Sequence, residues 1–127
     1  MAIKNAIDGV LRSRGYAALG SPLEDASGAL YTEGTLGLGL LVSKQSGEIS
    51  GSWDALFSAP PDLVYDVFVA AWSVFSSSSQ KFKDALRICL NTGESKTFTE
   101  EMFVAELNCR IRTGILEIFF RKRSLSN

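Results

Sequence analysis

The side chains that could do chemistry in this chain are carboxylates, two cysteines and a group of basic residues, because the sequence contains no histidine. Without histidine, the commonest general base and metal ligand is missing, and the usual Ser-His and Cys-His pairs cannot form. Asp62 and Asp66 are four residues apart, so on one helix they could share a hard cation. The alternative is a solvated helix N-terminus, where negative charge is favourable. We favour the alternative and predict no catalytic residue, no metal, no cofactor and no enzymatic activity.

Three glycines near the middle of the chain have a spacing that does not fit a phosphate-binding loop. Gly34, Gly37 and Gly39 match neither the P-loop pattern nor a complete G-x-G-x-x-G. Gly37 and Gly39 instead fall in a segment that alternates with leucines. There they leave room for a packed helix, a twisted neighbouring strand or a ligand to approach closely.

The two cysteines, Cys89 and Cys109, each lie in an apolar pattern and form no C-x-x-C pair. A nucleophilic cysteine needs an activating group, and the adjacent Arg87 and Arg110 would point away from the sulfur on a helix or strand. We interpret both cysteines as buried thiols in a reducing cytosol. The N-terminus lacks a signal-peptide core, and the longest apolar run, 67–75, is about half a membrane span. The sequence therefore predicts a soluble cytoplasmic protein that makes no membrane contact.

The clearest structural pattern lies near the C-terminus. Apolar residues occupy every second position from Phe103 to Ile111, with mostly polar residues between them, as in a half-buried strand. The segment 112–114 can form a turn, and the chain returns through 115–122 as a second strand. Because an isolated hairpin is marginal in water, we expect further strands and a covering layer.

The second face of this hairpin is more apolar than a fully solvated face needs to be. Val104, Ile115 and Phe119 fall on it together with glutamates. Either a second layer or a partner protein should therefore cover part of it.

Basic residues cluster on or near the same hairpin: Arg110, Arg112, Arg121, Lys122 and Arg123. A basic sheet surface with aromatic residues is how several RNA-binding modules work. Against this, the net charge of the chain is −1, which is not the basic footprint expected of such a module. The charges would alternatively keep an edge strand from pairing with other molecules.

Three apolar patterns have helical spacing. The first covers residues 3–11, with Gly15 at the position of a C-terminal cap. The second, 63–75, begins after two prolines and an aspartate and is the helix expected to pack across the sheet. The third, 82–90, fits a helix; the alternation within 85–90 also fits a strand, and we favour the helix.

The remaining segments complete the predicted fold. Residues 29–33 fit a short strand, and 36–53 fit a second hairpin, whereas 97–102 is interpreted as irregular. The sum predicts one α+β domain over residues 1–127. Its antiparallel sheet has four or five strands, built from two hairpins, with helices packed mainly on one face.

By elimination, the leading hypothesis is a non-catalytic protein-binding module of the adaptor, chaperone, inhibitor or viral accessory type. Its predicted partner-binding residues are Val104, Ile115, Phe119, Trp53 and Trp72. Ordinary core packing is the alternative for each aromatic residue, and a homodimer through the C-terminal sheet edge or the long helix is one arrangement. The alternative function is a nucleic-acid-binding regulator that uses the basic C-terminal hairpin.

Overall fold

The computed structural model describes residues 2–33, 36–44, 48–54, 60–74, 80–100, 103–110 and 115–122. The elements in chain order are α1 (Ala2–Ser13), β1 (Leu23–Glu24), β2 (Gly28–Glu33), β3 (Leu38–Ser43), β4 (Ile49–Asp54), α2 (Pro61–Ser73), α3 (Gln80–Thr92), β5 (Lys96–Glu100), β6 (Phe103–Arg110) and β7 (Ile115–Lys122). All strand pairs are antiparallel, in the order β1-β2-β3-β4-β7-β6-β5. The predicted α+β class is confirmed, but in the described residues the sheet has seven strands rather than four or five.

The two strands beyond the predicted number lie at the two edges of the sheet. β1 has only two residues, which is too short to show any periodicity. β5 contains a single apolar residue, Phe98, so no alternation was visible. The interpretation of 97–102 as irregular is wrong for 97–100, which pair with β6; 101 and 102 lie outside the described residues. Both edges form because a neighbouring strand supplies the pairing.

Helix α1 ends at Ser13, and the glycine that the sequence indicated as its C-terminal cap, Gly15, follows two residues later. Gly15 has a φ of 81°, which a residue with a side chain rarely adopts. The amide of Gly15 donates to the Arg12 carbonyl at 3.1 Å, and the amide of Tyr16 donates to the Leu11 carbonyl at 2.9 Å. This is the Schellman arrangement, which satisfies the last carbonyls of the helix and turns the chain away.

Helices α2 and α3 also follow the predicted patterns. Pro60 is extended and Pro61 opens α2, with Asp62 in its first turn. Helix, not strand, is confirmed for the segment around 82–90, and the helix ends before Gly93, whose φ is 75°. Residue 75, the last of the predicted second helix, lies outside the described residues.

All three helices contact the same face of the sheet. Lys4 of α1 lies 5.7 Å from the ring centroid of Tyr31 on β2. A side chain at Gly51 on β4 would meet Phe68 of α2, since a Cβ there would lie 2.5 Å from Cε1. Tyr31 and Gly51 share a face because both pair with Leu40. Cys109, which is bonded to α3, pairs with the buried Leu116 on that face.

The core lies between this helix layer and the sheet. Its largest fully buried side chains come from both layers: Leu11, Leu40, Leu63, Val64, Val67, Phe68, Trp72, Phe82, Leu86, Leu107 and Ile118. In β6 and β7 the buried residues are Ala105, Leu107, Cys109, Leu116 and Ile118, in alternation, as the sequence predicted for this hairpin. Within the described ranges, no helix has the length and apolar character needed to cross a membrane.

Candidate functional site

The two cysteines form a disulfide between α3 and β6, so the interpretation as free thiols is wrong. The Cα atoms of Cys89 and Cys109 are 5.6 Å apart, within the range that a disulfide requires. Their helical and strand periodicities put each one on a buried face, and packing α3 on β6 brings the two faces together. Sequence patterns identify the faces but not the contact, so burial alone favoured two separate thiols.

The aspartate pair on α2 is bridged by an arginine rather than poised for a cation. Arg14 contacts the carboxylate of Asp66 and lies 3.3 Å from that of Asp62. All three side chains are at least partly exposed, so these ion pairs contribute little to stability, on the order of 0–1 kcal/mol each. In the described part of the chain, no group of three or more Cys, Asp or Glu residues could hold a metal ion.

A buried carboxylate that sequence reasoning missed lies on α1. Asp8 is 3% exposed. Its oxygens accept hydrogen bonds from Lys4 Nζ at 2.5 Å and from the backbone amide of Leu19 at 2.9 Å. A carboxylate satisfied in this way fixes the loop after α1 against the helix. In the sequence, the sign of a buried carboxylate was the position of Asp8 next to the apolar stripe of the first helix.

Asp25, in the turn between β1 and β2, also has a structural role. Asp25 Oδ1 accepts hydrogen bonds from Ser27 Oγ at 2.5 Å and from the amides of Ser27 at 2.8 Å and Gly28 at 3.2 Å. These donors, above all the Ser27 hydroxyl, lower the pKa of Asp25 below its ordinary value of 3.8. The carboxylate therefore closes the turn between β1 and β2.

Both tryptophans that were predicted to bind a partner lie in the core. Trp72 is 0% exposed and stacks on Phe82, with ring centroids 5.2 Å apart. Trp53 is 9% exposed, and its Nε1 has no hydrogen-bond partner among the described residues. The reason is the helix layer, which covers the sheet face on which Trp53 lies. As the chain is folded, neither side chain is accessible to a partner, and core packing accounts for both.

The basic residues of the C-terminal hairpin are distributed along it. Arg110 pairs with Ile115 at one end of the two strands, and Arg121 pairs with Val104 toward the other end. Two acidic residues, Glu106 and Glu117, lie between these positions. Lys122 pairs with Phe103, and Arg112 and Arg123 are outside the described residues. The backbone register thus spreads the described basic positions along the strands and interleaves them with glutamates.

The opposite face of the sheet, turned away from the helices, carries an apolar row. One line of paired residues crosses all seven strands, and we call it the outer row. It consists of Leu23, Leu30, Leu41, Ser50, Phe119, Glu106 and Thr97. Leu23 is 73% exposed and Leu41 is 45% exposed. Since strands are about 4.8 Å apart, the stretch from Leu23 to Phe119 is roughly 20 Å long.

The predicted partner residues on this hairpin lie at or near the outer row. Phe119 belongs to it and is half-buried. Val104, also half-buried, is two positions along β6 from Glu106. Ile115 pairs with Asp54 and Arg110 at the end of β7, and its side chain is not among those described.

The glycines of β3 and the preceding turn lie at a shallow depression beside the outer row. It has a volume of about 300 Å³, and Gly37, Gly39, Ser52 and Asp54 are among its lining residues. A Cβ at Gly39 would lie 2.8 Å from Ser52 Oγ on the neighbouring strand. Of the three predicted reasons for these glycines, a neighbouring strand is the one seen at Gly39, and the contact is with the hydroxyl of Ser52.

Comparison of the chain with protein-family models, with curated proteins and with solved structures finds no match. The outer row is consequently the feature on which a functional assignment can be based, because it is the surface where exposed apolar side chains are aligned.

Proposed function

We propose that this chain is a protein-binding module that docks a partner on the outer row of its sheet. The observation that carries the proposal is the exposure of Leu23 and Leu41, two large apolar side chains in one line with Leu30 and Phe119. Exposed apolar side chains that line up in this way are typical of interaction sites. Gly39 and Ser52, which lie two positions along β3 and β4 from Leu41 and Ser50, have small side chains on the same face.

The shape of the row favours an amphipathic helix as the bound element. The row runs across the strands, and its apolar stretch of roughly 20 Å matches the length of about 13 helical residues. Glu106 continues the row beyond Phe119, and Glu117 lies nearby on β7. We therefore expect the partner helix to carry leucine-like residues on one face and basic residues near one end.

The test compares two surfaces of the same protein. Leu23→Ser with Leu41→Ser removes the most exposed part of the row, and Val74→Ser serves as the control because Val74 is 42% exposed at the end of α2. Tagged wild-type protein and both variants are used to capture partners from the native cell. A partner retained by wild type and by the control but lost by the double variant supports the proposal. A partner held equally by all three proteins would contradict it.

Nuclease treatment and increasing salt concentration, applied in the same experiment, distinguish protein binding from the competing function, nucleic-acid binding. Nucleic-acid binding predicts that captured proteins disappear after nuclease, and that binding falls steeply as salt increases. A helix bound to an apolar row should survive both. Recovery of nucleic acid with every variant would contradict the protein-binding proposal and favour the nucleic-acid-binding regulator.

The disulfide removes one of the arguments for a cytoplasmic location. The predicted cytoplasmic location depended in part on two free thiols, and Cys89 and Cys109 instead form a disulfide. Because disulfides persist mainly in oxidising compartments, cysteine usage no longer favours the cytosol. Cytoplasmic location stays a prediction to be checked by fractionation of the native cell.

A further inference from the structure

Strand β5 forms one edge of the sheet, and within the described residues a strand pairs with it on one side alone, through β6. A free edge presents unpaired amides and carbonyls to any strand that can align with it. Natural proteins usually protect such edges, for example with lysine or with a very short strand. The composition of β5 shows which strand this edge is suited to accept.

The direction of the backbone groups follows from a hydrogen bond at the end of β6. The amide of Cys109 donates to Ser95 Oγ at 3.0 Å, so it points toward the β5 side. Peptide directions alternate along a strand, so the amides of Leu107 and Ala105 point the same way, to their partners Lys96 and Phe98. The backbone groups of Thr97 and Thr99 therefore point outward from the edge.

The sequence of β5 is self-complementary in an antiparallel arrangement. The strand reads Lys-Thr-Phe-Thr-Glu from position 96 to 100. When a second copy is aligned antiparallel about Phe98, position 96 of each copy faces position 100 of the other, and threonines 97 and 99 face each other. An edge protected against its own copies would place like charges at these mirrored positions. This edge places a lysine opposite a glutamate, twice.

A depression that contains charged residues lies beside the β5 edge. It has a volume of about 280 Å³ and lies between α3 and β5, lined by Lys81, Asp84, Ala85, Ile88, Lys96 and Thr97. Lys96 lies 3.0 Å from Glu94 Oε1 of its own chain, and the paired copy would bring position 100, a second glutamate, to the same lysine. Ile88, which is 37% exposed, adds an apolar contact next to the edge.

We propose that β5 pairs antiparallel with β5 of a second copy of this chain, joining two seven-stranded sheets into one continuous sheet. Thr97 and Thr99 provide the intermolecular backbone hydrogen bonds, and the two Lys96–Glu100 pairs set the register. The pairing meets the outer row at Thr97, its last residue, whereas the exposed Leu23 and Leu41 lie toward the opposite edge of the sheet, so self-association and partner binding are compatible. A five-residue edge is a small interface, and we expect a dissociation constant on the order of micromolar.

The test uses charge reversal at the two mirrored positions, with the fold of each variant checked by circular dichroism. Lys96→Glu and Glu100→Lys each place like charges at both mirrored positions, whereas an equimolar mixture of the two variants restores both opposite-charge pairs. Sedimentation should give a dimer for wild type, a dimer at least about tenfold weaker for each variant alone, and a dimer again for the mixture. A monomeric wild type at several hundred micromolar, or variants that dimerise as well as wild type, would overturn the proposal.

A backbone variant tests the same geometry without charge. Thr97→Pro removes one outward amide and spares the bonds to β6, while Thr97→Val retains the amide and is the matched control. We expect loss of the dimer in the proline variant alone. In wild type, hydrogen exchange at the Thr97 and Thr99 amides should slow as protein concentration rises. Exchange that is independent of concentration would contradict the pairing, including in the case that Thr97→Pro fails to fold.

Discussion

Gly51 is a residue at which the sheet and the helix layer come close together. The Cα of Gly51 faces the ring of Phe68, and a methyl group added there would lie 2.5 Å from Cε1 and 3.2 Å from Cδ1. Phe68 is 1% exposed, so its ring has little space into which it can move. We expect Gly51→Ala to lower the free energy of unfolding by about 1–3 kcal/mol, measured by urea denaturation.

A second glycine provides the control for the substitution itself. Gly9 lies in the exposed part of α1, and a Cβ there would meet nothing within 4 Å. Gly9→Ala should therefore raise the free energy of unfolding by about 0.5–1 kcal/mol, because alanine is the better helix former. If both variants changed stability in the same direction, the contact between Gly51 and Phe68 would not be the cause.

The pKa of the Asp25 carboxyl group can be measured and compared between variants. The Ser27 hydroxyl and the amides of Ser27 and Gly28 lower its pKa in the folded state. A lowered pKa means that the stabilising contribution of this carboxylate is present above its unfolded pKa and is lost as pH falls through the folded pKa. Ser27→Ala should raise the pKa of Asp25 toward its ordinary value, observed by NMR titration of the carboxyl carbon.

The control for this titration is another exposed serine. Ser13 donates its hydroxyl to the Val10 carbonyl at 2.8 Å. Ser13→Ala should leave the pKa of Asp25 unchanged. An equal pKa in wild type and Ser27→Ala would show that the serine hydroxyl does not hold the carboxylate.

At the scale of elements, the disulfide is the covalent link between α3 and β6. Cys89 and Cys109 are separated by 20 residues, and a loop of this size corresponds to about 3 kcal/mol of stabilisation in the chain-entropy estimate. A reductant should therefore lower the midpoint of urea unfolding of wild type. The double variant Cys89→Ala with Cys109→Ala should unfold at the same midpoint with and without reductant. Detection of two titratable thiols in unfolded, unreduced wild type would contradict the bond.

The elements that sequence could identify are those that show a period. The alternation in β6 and β7 and the helical stripe of α2 each report a buried face, and the structure has both faces as expected. β5 shows no alternation because its one apolar residue is flanked by threonines and charges. Its signal was the β-propensity of Thr-Phe-Thr, which only becomes decisive when a strand is available to pair with it.

At the scale of the whole molecule, sequence predicted the layers but not which side chains meet between them. The tryptophans illustrate the limit, since an aromatic excess fits a core and an interface equally well until the covering layer is placed. The helix layer covers Trp53 and buries Trp72, whereas Leu23 and Leu41 stay exposed on the other face. Leu23 was missed because β1 was not predicted, and Leu41 was missed because it alternates with glycines on its face of β3, which gave no sign of an apolar surface.

The two tryptophans also allow the prediction of one domain to be tested. Trp53 lies on β4 in the sheet, and Trp72 lies on α2 in the helix layer. Trp72→Phe leaves a fluorescence probe in the sheet, and Trp53→Phe leaves one in the helix layer. Because one core joins both layers, we expect fluorescence and far-UV circular dichroism to give the same urea midpoint within each variant, as a two-state transition requires. A helix-layer probe that changes before the circular dichroism does would mean that the helices unfold from the sheet as a separate unit.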